Sequence, residues 1–579
     1  MSDHVPRIPA ELVSLIAGFA TPRSQANLAQ ACKSFASPAL AALWATQSIA
    51  SLLLNVLPRG TVLVSPHESF AVIEIYPGGA ERLTDYFWAR VASYGERIRH
   101  VSIPDTGHTT VHLSNELIRA WLSYAERHAR APALCPGARS VDLEIRDPFS
   151  AHREFPCVLR HGLHSLRIRN HVPPQLQHIL VETLRAWPMT ALVDLCVGRS
   201  AMLPRMDVDH GVLPLVRHSS LLVDVNVGPV SAACVYELAK LPALRSLRLA
   251  CAEDLNMNTN GCDLFPVLEN LTILATPLGR AVKLLCMSGS PRKIKSLIVD
   301  YVPDVFNYGF EHPIGTLGRT IVSCCENDSL VNLQITDRSV VTPDGTNPPY
   351  VTSYEHLSAL EDLRGLQILS LSWRGYTSLD DREVDALVSS WPALRTLMID
   401  PVVSCPNVPA IAAQLNMSDP IRITPLCLQY ITLHCPHLQH LTIPFGPLPH
   451  ATTDVFPTAI SRIASVRSLR IHIIPAGIWQ VDDMDKLALF LTSSFPSLPP
   501  GNLTTAFAIQ SQNYFAKTMY LMAETRRREN VRQQQIGRSL YRVAQNKVQD
   551  AQPWKQHLLH YIALVLQATE LEIRPQNSI

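Results

Sequence analysis

Two groupings in this 579-residue chain have the residue types and spacing to do chemistry: His437 and His440, three apart, and the acidic knot Asp482, Asp483 and Asp485. Imidazoles and carboxylates so placed could ligate a divalent metal or exchange protons in acid–base catalysis. Each also has a plainer reading. The two histidines fall on the loop and exposed positions of a strand pattern, and the aspartates suit a helix cap and solvated turn. The 22 histidines form no ligand-spaced cluster. No G-x-x-x-x-G-K-S/T, G-x-G-x-x-G, G-x-S-x-G or H-E-x-x-H occurs either. The expectation is a chain without catalysis, metal or cofactor.

Thirteen cysteines are scattered with no C-x-x-C pair, and the adjacent Cys324 and Cys325 sit in a helical pattern. That usage suits reduced, buried thiols in the cytosol or nucleus rather than a zinc module or a secreted disulfide framework. The chain is 47% hydrophobic and 17% charged, with a net charge of +1, so it is globular and has no basic field for nucleic acid. No run approaches the ~18–20 apolar residues that cross a bilayer. Neither nucleic acid nor a membrane is therefore an expected partner.

The elements that would position functional residues announce themselves by repetition. A triplet of the type Leu-x-x-Leu-x-Leu recurs about a dozen times, as in Leu163/Leu166/Ile168, Leu244/Leu247/Leu249, Leu366/Leu369/Leu371, Leu394/Leu397/Ile399, Leu438/Leu441/Ile443 and Val466/Leu469/Ile471. The last two apolar positions lie two apart, as on one face of a strand, and the first turns the chain into that strand. Helical spacing precedes several copies, for example Val384, Leu387, Val388 and Trp391 before Pro392. The alternation resembles a leucine-rich repeat solenoid, an α/β fold in which each unit hides its apolar edge by stacking on its neighbours. The resemblance is irregular: copies are 22 to 44 residues apart, and the closing Asn or Cys is missing from most. A doubly wound α/β domain would also alternate strands and helices, yet such sheets rarely run to a dozen strands. Loops are expected at Thr342 to Tyr350 and Pro401 to Pro409.

In a solenoid, the residues flanking the second apolar position point away from the core. They would tile a small-polar concave face carrying Arg167, Arg248, His440 and Arg470, suited to an acidic or phosphorylated segment of a target protein. Exposed strand positions are polar in any protein, so the array matters more than any member. Trp373 and Arg374, just past the Leu366 triplet with Tyr376 behind them, are candidates for an exposed anchor.

The first 57 residues have a different rhythm. Leu12, Leu15, Ile16 and Phe19 recur at i, i+3, i+4 and i+7 behind Pro9 and Glu11. Leu28, Ala31, Cys32 and Phe35 repeat that spacing. Ser37 and Pro38 look like the start of a third helix running through Leu43 and Trp44 and on to Val56. Together Ile8-Pro9, Glu11-Leu12, Ile16, Leu28, Ala31-Cys32-Lys33, Phe35 and Leu43-Trp44 resemble the F-box motif, in a spelling similar to proteins abundant in mushroom-forming fungi. That family docks on the Skp-type adaptor of a cullin-RING ubiquitin ligase. The resemblance implies that Ile8, Pro9, Leu12, Ile16, Leu28, Cys32 and Trp44 line the contact, and that none of them performs chemistry. Leu15, Phe19 and Phe35 are expected in the core of the three helices. No signal peptide fits, since Glu11 interrupts the apolar stretch.

The remaining segments complete a four-part plan: F-box over 1–57, a helical linker over 58–95, the repeats over 96–475 and a helical cap or tail over 476–579. In the tail, Phe515 to Val543 carries helical spacing around Arg526 to Arg528, and Trp554 to Val565 suggests a short terminal helix. The expected function is a substrate-recognition adaptor, with the head recruiting the ligase and the repeats holding a target. The alternative is a repeat scaffold with no ligase role.

Overall fold

A computed structural model describes residues 10–31, 33–66, 70–102, 110–130, 132–145, 157–159, 162–170, 185, 189–197, 209–251, 255, 264–287, 290–302, 312–338, 350–402, 422–446, 466–473, 491, 495, 503–507 and 535. The loops expected at 342–350 and 401–409 fall mostly outside these residues, and the expected tail helices fall almost wholly outside them. The chain divides into two compact units, Met1–Pro348 with Glu355–Leu366, and Pro349–Tyr354 with Gln367–Ile579.

The first unit opens with three packed helices, α1 (Ala10–Phe19), α2 (Pro22–Ala31) and α3 (Lys33–Trp44), followed by α4 (Ile49–Val56). Two expectations fail here. Ser37 and Pro38 do not start a helix, because Pro38 lies inside α3. Nor does the third helix run on to Val56: it stops at Trp44, and α4 starts afresh at Ser48, whose hydroxyl accepts from the Ser51 amide at 3.0 Å.

The 58–95 segment is not a helical linker throughout. Val62–Pro66 and Phe70–Ile75 pair antiparallel, and Thr110–Leu113 adds a parallel third strand. The branched pairs Val62/Val64 and Ile73/Ile75, each two apart and opposite one another, carry that signal. The helices Asp85–Gly95 and Asn115–Arg127 follow, joined through Trp88 and Trp121, whose ring centroids are 5.8 Å apart. The Trp121 indole N–H donates to the Pro132 carbonyl at 2.6 Å, so this buried ring is satisfied at its polar end.

The triplets become parallel strands. In the first unit Thr46–Gln47, His100–Val101, Ser140–Ile145, Ser165–Asn170, Asp194–Val197, Asp224–Val230, Ser246–Cys251, Asn270–Pro277, Ser296–Val302 and Asn332–Asp337 pair in that order, each parallel to the next. The register is the triplet itself: Leu166 stands opposite Leu195, Leu195 opposite Val225, Val225 opposite Leu247, and Leu247 opposite Leu271. These residues and the leading Leu163, Leu192, Leu222 and Leu244 are all at most 1% exposed. Helices such as Ala232–Ala239, Leu278–Leu285 and Pro313–Cys324 lie between strands and bury their apolar faces.

The second unit repeats the plan with Ile368–Thr377, Thr396–Val402, His440–Phe445, Ser468–Ile473 and Leu503–Phe507, again parallel in succession. The helix Asp381–Ser389 begins with a capping box between Asp380 and Glu383 and buries Val384, Leu387 and Val388. Consecutive parallel strands with interposed helices, bound through stacked leucine rows, make this an irregular leucine-rich-repeat-like α/β fold.

One short strand departs from the repeat. Tyr350–Thr352 pairs with the far end of Ile368–Thr377, where Gly375 adopts a φ of +141°. A Cβ there would stand 2.0 Å from the Tyr350 carbonyl oxygen, so only glycine permits the approach.

Candidate partner-binding surfaces

Helix α1 is buried on the side opposite to the one its large residues suggest. Val13 is 4% exposed and Ala17 fully buried, and the Ala17 carbonyl accepts the Gln25 side-chain amide from α2 at 2.8 Å. The small pair Val13/Ala17, at i and i+4, lets α1 lie close to the other helices. Leu12, Leu15, Ile16 and Phe19 are consequently 50%, 58%, 53% and 87% exposed. Leu15 and Phe19 are thus not core residues, and Phe35 is only half-buried.

Of the eleven large apolar side chains exposed among the described residues, four lie within these eight positions of α1, which makes them a patch rather than scatter. Fully covering one such side chain is worth about 1.5–3 kcal/mol. Leu28 and Trp44 are half-buried; Trp44 packs on Tyr94, with ring centroids 4.7 Å apart. Ile8, Pro9 and Cys32 fall outside the described residues. The structure thus gathers Leu12 and Ile16 on one exposed face and adds Leu15 and Phe19 to it.

The second surface is the polar side of the strands. In the first unit, Ser165, Asp194, Asp224, Ser246, Asn270, Ser296 and Asn332 stand opposite one another in a single row. A parallel row holds Arg167, Cys196, Asn226, Arg248, Thr272, Ile298 and Gln334. Arg167 and Arg248 share that row with two strands between them, about 14 Å at ~4.8 Å per strand.

Neighbouring polar side chains satisfy one another. The Ser165 hydroxyl donates to Asp194 at 2.8 Å, and Arg167 donates to the same carboxylate through Nε and Nη2 at 3.2 and 3.0 Å. That hydrogen bond, with the carboxylate's charge, raises the Arg167 pKa. At the strand entries Glu269 lies between Arg245 at 3.3 Å and Lys295 at 2.8 Å. The hydrogen bond from Lys295 holds its carboxyl below the usual range. Arg248 is exposed and its row carries no other cation between it and Arg167.

In the second unit His440 and Arg470 are exposed on neighbouring strands but two residues out of register, since Arg470 stands opposite Thr442. Thr442, expected to face outward, is 7% exposed. Trp373 is no exposed anchor. It is 1% exposed because the strand extends past its triplet and the inward phase Leu369, Leu371 continues to residue 373. Arg374 occupies the next strand position, and its side chain lies outside what is described.

No protein-family model matches the chain, and no curated protein matches it. Among solved structures the chain is similar to one in the crystal structure of the Rad7 and Elc1 complex in yeast, with 12% identity, a TM-score of 0.29, and coverage of 87% of this chain and 94% of that one. At that score the likeness leaves the functional reading to this chain's own residues. Among the described residues, no helix is long and apolar enough to cross a membrane.

Proposed function

We propose that this chain is the substrate-recognition adaptor of a cullin-RING ubiquitin ligase, acting by non-covalent recruitment and without catalysis of its own. The observation that carries the proposal is the exposed apolar stripe Leu12, Leu15, Ile16 and Phe19 on α1, within a segment that resembles the F-box motif. In the proposal this stripe, with Ile8, Pro9, Leu28 and Cys32, docks on a Skp-type adaptor and through it a cullin. The repeat strands present their polar rows to a target protein, with Arg248, His440 and Arg470 as exposed contacts. Holding target and ligase on one chain raises their mutual concentration, so that ubiquitin transfer becomes effectively intramolecular.

Co-purification of the full-length chain with a Skp-type adaptor tests the reading. The wild-type chain should retain the adaptor, and Leu12→Asp should release it. Failure of the wild type to retain it leaves a repeat scaffold with no ligase role.

A further inference from the structure

Successive helices in the first unit end side by side. Cys286 directly follows the helix Leu278–Leu285, and Cys324 is the last residue of Pro313–Cys324. Stacking of these repeat helices brings the two sulfurs to 3.8 Å, with the Cys324 thiol donating to Cys286. Cys286 is exposed and Cys324 only 7% exposed, so one sulfur meets solvent and the other waits behind it.

A buried cation sits at this junction. Arg292 is 6% exposed; its Nη2 donates to the Leu285 carbonyl and its backbone N–H to the Cys324 carbonyl at 3.0 Å. It thereby occupies the negative carboxyl ends of both helices, with the Phe265 ring 5.6 Å away. Its Nε and Nη1 have no hydrogen-bond partner among the described residues. Burial pushes the Cys286 thiol up to about 11 and the Cys325 thiol up to about 12, and the Arg292 charge opposes that rise only in part. Among the described residues no group of three or more metal-ligating side chains is placed to hold an ion, which leaves a dithiol.

We propose that Cys286 and Cys324 form a reversible redox pair, closing to a disulfide when a hydroperoxide oxidises Cys286. The Cys286 thiolate attacks one oxygen of the hydroperoxide; the O–O bond breaks, and hydroxide or the alkoxide leaves with its electron pair. The resulting sulfenic acid is attacked by the Cys324 sulfur; the S–O bond breaks, the departing hydroxide takes up the Cys324 proton as water, and the S–S bond forms. Two thiols are oxidised by two electrons and one peroxide is reduced. The bond staples two neighbouring repeats and restrains their separation, the motion by which a solenoid opens. Cys325, although adjacent in sequence, is 2% exposed, and the 3.8 Å sulfur contact of Cys286 is with Cys324, so Cys325 is the bystander.

The test is exposure of the purified full-length chain to hydrogen peroxide, followed by alkylation, proteolysis and mass spectrometry. The wild type should lose two more of its 13 thiols than Cys286→Ser does under the same exposure. It should yield a Cys286–Cys324 linked peptide that dithiothreitol removes. Cys324→Ala should leave Cys286 as a sulfenic acid that dimedone traps. A linkage of Cys286 to Cys325 overturns the assignment, as does equal thiol loss in wild type and Cys286→Ser.

Discussion

The Trp44 and Tyr94 rings stack at a tilt of 41° with centroids 4.7 Å apart, tying the end of α3 to the helix Asp85–Gly95. The tryptophan that closes the F-box-like segment is therefore engaged within its own chain. Trp44→Ala should lower stability by about 1–2 kcal/mol, as a half-buried aromatic pair is lost. Urea denaturation checks this, and a change below a few tenths would mean that the pair contributes nothing.

Leu247 and Arg248 are chain neighbours on opposite faces of one strand, 1% exposed and exposed respectively. Leu247→Ala should destabilise by about 2–5 kcal/mol, because the leucine row above and below it cannot close the cavity. Arg248→Ala should cost no more than about 0.5 kcal/mol. Paired melting curves of the two variants decide whether the triplet leucines are the core.

At Gly375 the positive φ and the Tyr350 carbonyl exclude any side chain. Gly375→Ala should release Tyr350–Thr352 from its strand at a cost of about 1–3 kcal/mol. Hydrogen exchange would speed up at the Ser378 amide, which donates to the Thr352 carbonyl at 2.9 Å. Unchanged protection there would show that the short strand does not depend on the glycine.

His312 stacks on His356 with centroids 4.1 Å apart, and burial, then the neighbouring imidazole, depresses its pKa from 6.5 to about 3. The unfolded chain takes up a proton as pH falls through ~6.5, whereas the folded chain does not until about pH 3. Stability should therefore fall on acidification across that window, by at most ~1.4 kcal/mol per pH unit. His312→Gln should flatten the melting temperature between pH 7 and pH 4, and an unchanged slope would assign the acid sensitivity to other groups.

Period-two spacing made the repeat strands legible, because a strand's inward phase allows few alternatives once Leu244, Leu247 and Leu249 are seen. The same rule, followed two residues further, would have placed Trp373 in the core. Helix α1 was harder for a physical reason. Leu12, Leu15, Ile16 and Phe19 make one helical stripe and Val13 and Ala17 another, and a chain's own periodicity does not say which stripe its neighbours cover. The expectation split the larger stripe, with Leu15 and Phe19 in the core and Leu12 and Ile16 at a contact, whereas all four are exposed and the smaller pair packs inward. The branched strands between Val62 and Ile75 are legible in composition, yet the expectation of one helical linker over 58–95 holds only for the helix Asp85–Gly95 at its end. Polar side-chain pairing, such as Glu269 between Arg245 and Lys295, depends on strand register and could not be read before that register was known.

The central claim concerns α1, and a binding titration of the full-length chain against a purified Skp-type adaptor tests it most directly. Ile16→Asp combined with Phe19→Asp should weaken binding at least ~10-fold, about 1.4 kcal/mol, while leaving the melting temperature unchanged, since both side chains already face solvent. Equal affinity in wild type and double variant, or no binding by the wild type, would contradict the account.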